Sequence, residues 1–171
     1  MLQVAVLREF PEDPEVALSW NTLVRRLERP EIFFTYEWAL AANRAFSDTT
    51  RPLIILVYDA QQLCGVAALA THREPDRSAF FLTGSTADYC DIVTNPSMTE
   101  DVLAAIFREI QQAGVQDLVL ANIPSDSPTL RELPVVARTL RYRIHSRPAY
   151  ECGLILFGTA DERHATLQLV K

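Results

Sequence analysis

The sequence predicts an α/β fold in which a mixed, largely antiparallel central sheet is flanked by helices. Three observations support this fold class. Apolar runs of strand length follow one another between residues 53 and 84, amphipathic helical stretches lie on both sides of them, and a strand–helix–strand unit follows. At 171 residues, the chain has the length of a single domain.

The first quarter of the chain predicts one strand and two helices. Leu2–Arg8 alternates in the manner of a strand, and Asp13 followed by Pro14 marks a helix N-terminus. This helix should continue until Pro30, and a second should run from about Thr35 to Phe46. The expected buried side chains of the first helix are Val16, Trp20, Leu23, Val24 and Leu27. Those of the second are Trp38, Ala41, Ala42 and Ala45.

The next stretch predicts three antiparallel strands. Leu53–Asp59 and Leu63–Thr71 are separated by a short polar turn, which favours a hairpin of buried strands. Ser78–Gly84 follows after a second polar turn and predicts the third strand.

A helix and a further strand complete the strand–helix–strand unit. Ser97 and Glu100 form the S-x-x-E pattern of a capping box, and Gly114 is a typical residue after a helix end. Asp117–Ile123 then has the composition of a strand. The apolar stripe of the helix consists of Val102, Leu103, Ile106, Phe107 and Ile110.

The last part of the chain predicts two helices and two strands. Ser127 and Pro128 begin a helix that contains Pro134, which should kink or divide it. Tyr142–Ser146 and Glu151–Phe157 are expected to close the sheet. Thr159 and Glu162 form another capping box, and no stop signal follows before Lys171.

Charge and composition exclude several function classes. The net charge of −6 and a pI near 5.1 disfavour a nucleic-acid-binding protein. No apolar run approaches the ~18 residues that span a bilayer, and the N-terminus does not resemble a signal peptide, so we expect a cytoplasmic protein. Cys64, Cys90 and Cys152 lack metal-ligand spacing and are expected to be buried free thiols. No metal site is expected.

Four stretches carry a resemblance to a known family. They are Ile32–Trp38, Cys64–Ala70, Gly84–Val93 and Leu120–Leu130. These stretches, with the order of elements, resemble the N-terminal half of CelD-like N-acetyltransferases of the GNAT family. That group is associated with cellulose and exopolysaccharide biosynthesis and is related to the FemAB-type tandem-GNAT transferases. The resemblance implies a GNAT-like fold and a transferase that acetylates an amine, with acetyl-CoA as the cofactor of the full-length family.

One segment departs from the family pattern. GNAT domains carry Arg/Gln-x-x-Gly-x-Gly/Ala before the third helix, and its backbone N–H groups hold the acetyl-CoA pyrophosphate. The corresponding segment here, Leu82–Glu100, has one glycine, two aspartates and no arginine or lysine. The similar string Gln111–Gly114 lies at the far end of the helix and predicts only its termination. We therefore expect no cofactor-binding residues in this chain.

The resemblance also implies a domain organisation. CelD-like proteins are longer, with the cofactor-binding half following this one. Residues 1–158 are therefore predicted to form a GNAT-like acceptor-side domain, and residues 159–171 the start of a helix leading to an absent C-terminal half. The expected partners are that half or another copy of the chain, and a small-molecule or saccharide acceptor.

Two alternatives remain: a non-enzymatic binding or scaffold module, and half of a FemAB-like aminoacyl transferase. Whether this chain alone is an enzyme stays open.

Five residues are candidates for contacting the acceptor. Asp88, Tyr89 and Asp91 form the densest polar cluster and could bind an amine or hydroxyl groups. The alternative is a solvated turn. Asp91 could act as a general base if burial raised its pKa. Tyr36 and Trp38 belong to an aromatic group for which the spacing favours a core position for Trp38 and a surface position for Tyr36. No catalytic residue is assigned.

Overall fold

The protein is described by a computed structural model that covers residues 1–73, 77–149 and 151. Some predicted features lie outside the described residues: the helix from Thr159, residues 152–157 of the last strand, and Cys152. The strands are β1 (Gln3–Leu7), β2 (Thr50–Asp59), β3 (Gln62–His72), β4 (Ser78–Phe81), β5 (Val93–Thr94) and β6 (Asp117–Val119). The helices are α1 (Pro14–Val24), α2 (Tyr36–Ala45), α3 (Thr99–Gln112) and α4 (Pro128–Leu140), with a 3-10 turn at Ile32–Phe34.

The six strands form one sheet, with five of them in the order β1-β2-β3-β4-β6. The short strand β5 pairs with the N-terminal half of β3, at Gly65 and Val66. All pairings are antiparallel except that of β4 with β6. The predicted fold class, a mixed and largely antiparallel sheet flanked by helices, is confirmed.

The β2–β3 hairpin is the centre of the sheet. Ala60 and Gln61 occupy the turn with φ of 44° and 74°, the left-handed region typical of a two-residue hairpin turn. Both faces of β2 are covered, so its side chains from Leu53 to Val57 are buried without alternation. The hairpin predicted from the apolar runs is therefore confirmed, and β2 begins three residues earlier than expected.

Two apolar layers cover the two faces of this sheet. Alternate β2 residues point to opposite sides, with Ile55 and Val57 toward α3 and α4, and Ile54 and Leu56 toward α1 and α2. The α3 side includes Val102, Leu103, Ile106, Phe107, Ile110 and Val136. The α1 side includes Phe10, Trp20, Leu23, Val24, Phe34 and Tyr36.

The first two helices differ in detail from the sequence-based prediction. The cap of α1 at Asp13 is confirmed, but the helix ends at Val24, well before Pro30. After it the N–H groups of Arg26 and Leu27 bond carbonyls three residues back, which tightens the chain into turns. In α2 the predicted inward positions of Ala41 and Ala45 are wrong, since both are exposed. The buried face of α2 is formed by Tyr36, Ala39 and Ala42.

The predicted capping box of α3 is wrong, although the helix begins close to the expected place. Met98 is the N-cap residue and makes no side-chain cap hydrogen bond. The hydroxyl of Ser97 donates instead to Asn95 Oδ1 at 3.0 Å, within a turn that Asn95 also stabilises through the Ser97 N–H. Gly114 has a φ of 78° just after α3, as predicted for a residue that terminates a helix.

The C-terminal part of the described chain also differs from the prediction. Pro134 does not divide α4, which continues to Leu140. The strand predicted at Tyr142–Ser146 is absent, because Tyr142 folds back against α3 and α4 instead. Its N–H donates to Ala137 O at 2.8 Å, and its hydroxyl donates to Phe107 O at 2.9 Å.

Gly65 gives a test of how tightly β3 packs on α3. A Cβ at this position would lie 2.2 Å from Val102 Cγ1 and 3.2 Å from Val57 Cβ. We expect Gly65→Ala to lower the free energy of unfolding by ~1–3 kcal/mol through overpacking, measured by urea denaturation. Because Val102→Ala removes the clashing methyl group, the double variant should lose less than the sum of the two single variants. Additive losses would contradict this packing.

Candidate functional site

The site begins where β4 and β6 separate. Their parallel pairing ends at Phe80 and Val119, and residues 82–92, here called the 82–92 loop, leave the sheet before the chain returns as β5. Asn122 connects this loop to the chain that follows β6. Its backbone carbonyl accepts the Cys90 N–H at 2.9 Å, and its side-chain amide donates to the carbonyl of Ala87 at 3.1 Å. Polar backbone groups that lose their strand partners are thereby satisfied.

Asp91 is the last polar side chain of this loop before β5. Its Oδ1 accepts the Ile92 N–H at 2.8 Å, and its Oδ2 accepts the Ser127 hydroxyl at 2.6 Å. Burial raises the pKa of Asp91 above the ordinary carboxyl value, while the hydroxyls of Ser127 and Thr129 act in the opposite direction. The carboxyl group is therefore held in place and is a weaker acid than an exposed aspartate.

Ser127 joins this carboxyl group to the start of α4. It is the N-cap residue, and its Oγ accepts the N–H groups of Thr129 at 3.0 Å and Leu130 at 3.4 Å. The same hydroxyl donates its proton to Asp91. Thr129 adds a second connection through its hydroxyl, which donates to Ile92 O at 3.3 Å. The sequence predicts Ser127 as a cap but gives no signal for its contact with Asp91, which is 36 residues away.

A cleft of about 730 Å³ opens beside Asp91. Three segments form its walls: residues 27–34 after α1, residues 91–101 with the start of α3, and residues 124–132 with the start of α4. Its two basic side chains are Arg29 and Arg131. Its acidic side chains are Glu28, Glu31, Asp91, Glu100, Asp101, Asp126 and Glu132. Carboxylates outnumber guanidinium groups by seven to two, which makes the lining strongly acidic.

One of the two cleft arginines is already engaged. Arg29 Nη1 donates to Asp126 Oδ2 at 2.6 Å, which connects the segment after α1 to the loop before α4. The hydrogen bond from Arg29 lowers the pKa of Asp126, and the same contact raises the pKa of Arg29. Arg131 on the exposed first turn of α4 is the other basic side chain of the lining.

The N-terminus of α3 does not fit the pyrophosphate of acetyl-CoA. Its first turn carries Glu100 and Asp101, which contribute negative charge where a diphosphate would need donors and cations. Gly84 is the only glycine between residues 82 and 100, and arginine and lysine are absent from that segment. At short range, carboxylates repel phosphates. This helix N-terminus therefore lacks the donors and cations that usually hold a pyrophosphate.

The structure separates the five candidate residues. Of these, Asp91 lines the cleft, and Asp88, Tyr89, Tyr36 and Trp38 do not. Asp88 is exposed on the 82–92 loop, whereas Tyr89 is partly buried against the apolar layer on the α1 side.

The aromatic candidates belong to packing on the α1 side. The surface position predicted for Tyr36 is wrong: its side chain is buried, and its hydroxyl donates to Pro11 O at 2.8 Å. Its ring packs edge-on against Trp20 with centroids 5.8 Å apart. Trp38 is only partly buried and contacts Phe33 edge-on at 5.0 Å, so it lies at the margin of the core rather than in the core position that the sequence favours.

Asp91 should give stability a specific pH dependence. Since its pKa is raised in the folded protein, the unfolded chain loses this proton first as pH rises above ~4. The contribution of Asp91 to stability therefore falls with rising pH. We expect the free energy of unfolding of Asp91→Asn, relative to wild type, to increase between pH 4 and 7 in urea titrations. Asp88→Asn controls for the loss of one negative charge. A relative stability of Asp91→Asn that decreases over this range would contradict the assignment.

Ser127 should matter for more than its helix cap. We expect Ser127→Ala to cost ~1 kcal/mol from the lost cap alone, and more because the buried Asp91 loses a donor. Thermal and urea unfolding measure this loss. Ser125→Ala, an exposed serine in the same loop, is the matched control and should leave stability within ~0.5 kcal/mol of wild type. A loss in Ser127→Ala no larger than the ~1 kcal/mol expected from the cap would show that the Asp91 contact contributes nothing.

Comparisons with known proteins identify the fold. No profile of a known protein family matches the sequence, and a comparison with curated proteins gives no significant match. Solved structures do resemble it. A Desulfovibrio desulfuricans protein assigned to the GNAT family of acetyltransferases superposes with a TM-score of 0.50 at 15% identity, covering 78% of this chain and 84% of that one. The ribosomal-protein-alanine N-acetyltransferase of Brucella melitensis is more distant, with a TM-score of 0.45 at 16% identity over 91% and 99% of the chains. The first likeness shows that this chain has the fold of GNAT acetyltransferases.

Proposed function

We propose that this chain is the acceptor-binding part of a GNAT-type N-acetyltransferase, acting on an amine of a saccharide-type acceptor. The acetyl-CoA donor is held by other polypeptide, either a cofactor-binding C-terminal half or another copy of the chain. One observation carries the proposal: on a GNAT fold, the large cleft formed beside the N-termini of α3 and α4 is lined mainly by acidic side chains.

The charge of the cleft suits a protonated amine. Amines carry a positive charge at neutral pH, and a concave surface lined by carboxylates raises the local concentration of cations. The volume of about 730 Å³ lies within the range of pockets that bind small molecules. The exposed hydroxyl of Ser97 in the same lining donates to Asn95 Oδ1 and can still accept a hydrogen bond from a sugar hydroxyl.

Asp91 is the proposed proton acceptor. An amine must lose its proton before it can attack a carbonyl carbon, and a carboxylate with a raised pKa accepts that proton more readily than an ordinary one. The hydrogen bonds from Ile92 N–H and Ser127 Oγ fix the orientation of the carboxyl group. Its place in the lining would bring this base within hydrogen-bond reach of an amine bound in the cleft, which a general base requires.

A non-enzymatic binding module is the second candidate. The first turn of α3 is acidic, which is why the proposal assigns the cofactor to another polypeptide. A GNAT-like domain without activity would show the same feature. In that case the cleft binds a cationic ligand without transferring a group to it. The FemAB-like alternative is less favoured, because tRNA is a polyanion and the cleft is acidic.

Isothermal titration calorimetry tests the proposal. We expect glucosamine, a saccharide amine, to bind in the millimolar range, and acetyl-CoA to give no saturable heat below ~1 mM. The double variant Glu100→Gln with Asp101→Asn should weaken glucosamine binding several-fold, since it removes two carboxylates from the lining. The exposed pair Glu9→Gln with Asp59→Asn removes the same charge elsewhere and should leave binding unchanged.

Two results would overturn this reading. Micromolar binding of acetyl-CoA would show that the 82–92 loop and α3 hold the donor after all. Glucosamine binding that is equal in both double variants would show that the cleft is not the acceptor site. Acetylation is followed by mass spectrometry. Acetylglucosamine and free CoA formed from glucosamine and acetyl-CoA in the presence of a separately supplied cofactor-binding half support the enzyme, and glucosamine binding without these products supports the binding module.

A further inference from the structure

A second charged surface lies outside the cleft. Residues 138–147, here called the basic segment, contain Arg138, Arg141, Arg143, His145 and Arg147, all of them exposed. No aspartate or glutamate occurs between Glu132 and Glu151, although the chain as a whole has a net charge of −6. The described ion pairs engage Arg29 and Arg44 and none of the arginines in the basic segment. Within the described part of the chain, the four guanidinium groups of the basic segment therefore form no ion pair and can bind a partner.

The basic segment is fixed to the body of the protein at its middle. The Tyr142 ring packs edge-on against Phe107 at 5.4 Å, and its hydroxyl donates to the Phe107 carbonyl. Burial raises the pKa of Tyr142 to about 12. Because Tyr142 points inward, the neighbouring side chains of Arg141 and Arg143 are displayed to solvent on an anchored stretch of chain.

The acidic cleft and the basic segment lie at opposite ends of α4. The first turn of α4 lines the cleft, and the basic segment begins at its last turn, where Gln111 Nε2 donates to Leu140 O. A helix of 13 residues is about 20 Å long. The basic segment is therefore held away from the cleft of its own chain, and the molecule has one acidic and one basic end.

We propose that the acidic cleft of one copy binds the basic segment of a second copy. The complementarity supports this occupant: seven carboxylates in the lining face two arginines, one of them already paired with Asp126, and the basic segment supplies four arginines and no acid. The contact joins two different surfaces, so a pair keeps a free segment on the first copy and a free cleft on the second, and association continues into chains or closes into a ring. The interaction goes beyond the proposed function and competes with any cationic acceptor for the cleft.

Sedimentation equilibrium of the purified chain tests the proposal. At ~50 mM salt the weight-average mass should rise above the monomer mass of 19.3 kDa as concentration increases, and it should return to the monomer mass at ~500 mM salt. Two charge reversals separate the surfaces: Glu100→Lys with Asp101→Lys in the cleft, and Arg143→Glu with Arg147→Glu in the basic segment. Each variant alone should remain monomeric, and circular dichroism confirms that both fold.

Mixing the two variants gives the decisive result. An equimolar mixture contains one intact cleft and one intact basic segment per pair, and its reversed cleft and reversed segment also carry opposite charges, so the mixture should associate to twice the monomer mass or more. The control reversals Glu9→Lys with Asp59→Lys, and Arg8→Glu with Arg51→Glu, are exposed and lie outside both surfaces, so they should associate like wild type. A wild-type chain that stays monomeric at low salt, or a mixture that stays monomeric, would overturn the inference, whatever the outcome of the glucosamine titration.

Discussion

The architecture of the cleft depends on how the chain satisfies its backbone polar groups where the sheet parts. Beyond Phe80 and Val119, β4 and β6 no longer pair, and their N–H and C=O groups need other partners. Asn122 supplies them by bonding the 82–92 loop through both its backbone and its side chain. That connection places Asp91 next to Ser127, and with it fixes one wall of the cleft.

Local signals in the sequence account for most of the framework. The two apolar runs around Ala60 and Gln61, the Asp13 cap and the Ser127 cap all predict elements that the structure contains. The hairpin and the two helix caps each depend on residues that are adjacent in the chain. A short stretch of sequence is therefore enough to predict them. The capping box at Ser97 fails because a competing turn at Asn95, equally local, captures the hydroxyl.

What the sequence could not predict depends on contacts between distant residues. β5 is only two residues long and exists because Val93 meets Val66 across the sheet. Tyr36 is buried because its ring packs against Phe10 and Trp20, and the Pro11 carbonyl accepts the hydrogen bond from its hydroxyl. Within the candidate site, the polar neighbourhood of Asp91 predicts its importance, but the Ser127 hydroxyl that bonds its carboxyl group comes from the start of α4, 36 residues further along. The composition predicts that the protein has a negative net charge, and only the fold shows that acidic side chains are concentrated in the cleft.

Pro134 has a consequence for the cleft wall. Proline has no N–H, so the Leu130 carbonyl lacks the usual partner four residues further along, and the ladder of α4 is interrupted between its first turn and its C-terminal half. The opening turn is held chiefly by Ser127 and Thr129, while the closing turn is clamped to α3 through Tyr142. The two ends of α4 are therefore held by separate contacts, so a ligand in the cleft can displace the first turn of this helix without displacing the arginines that follow its last turn.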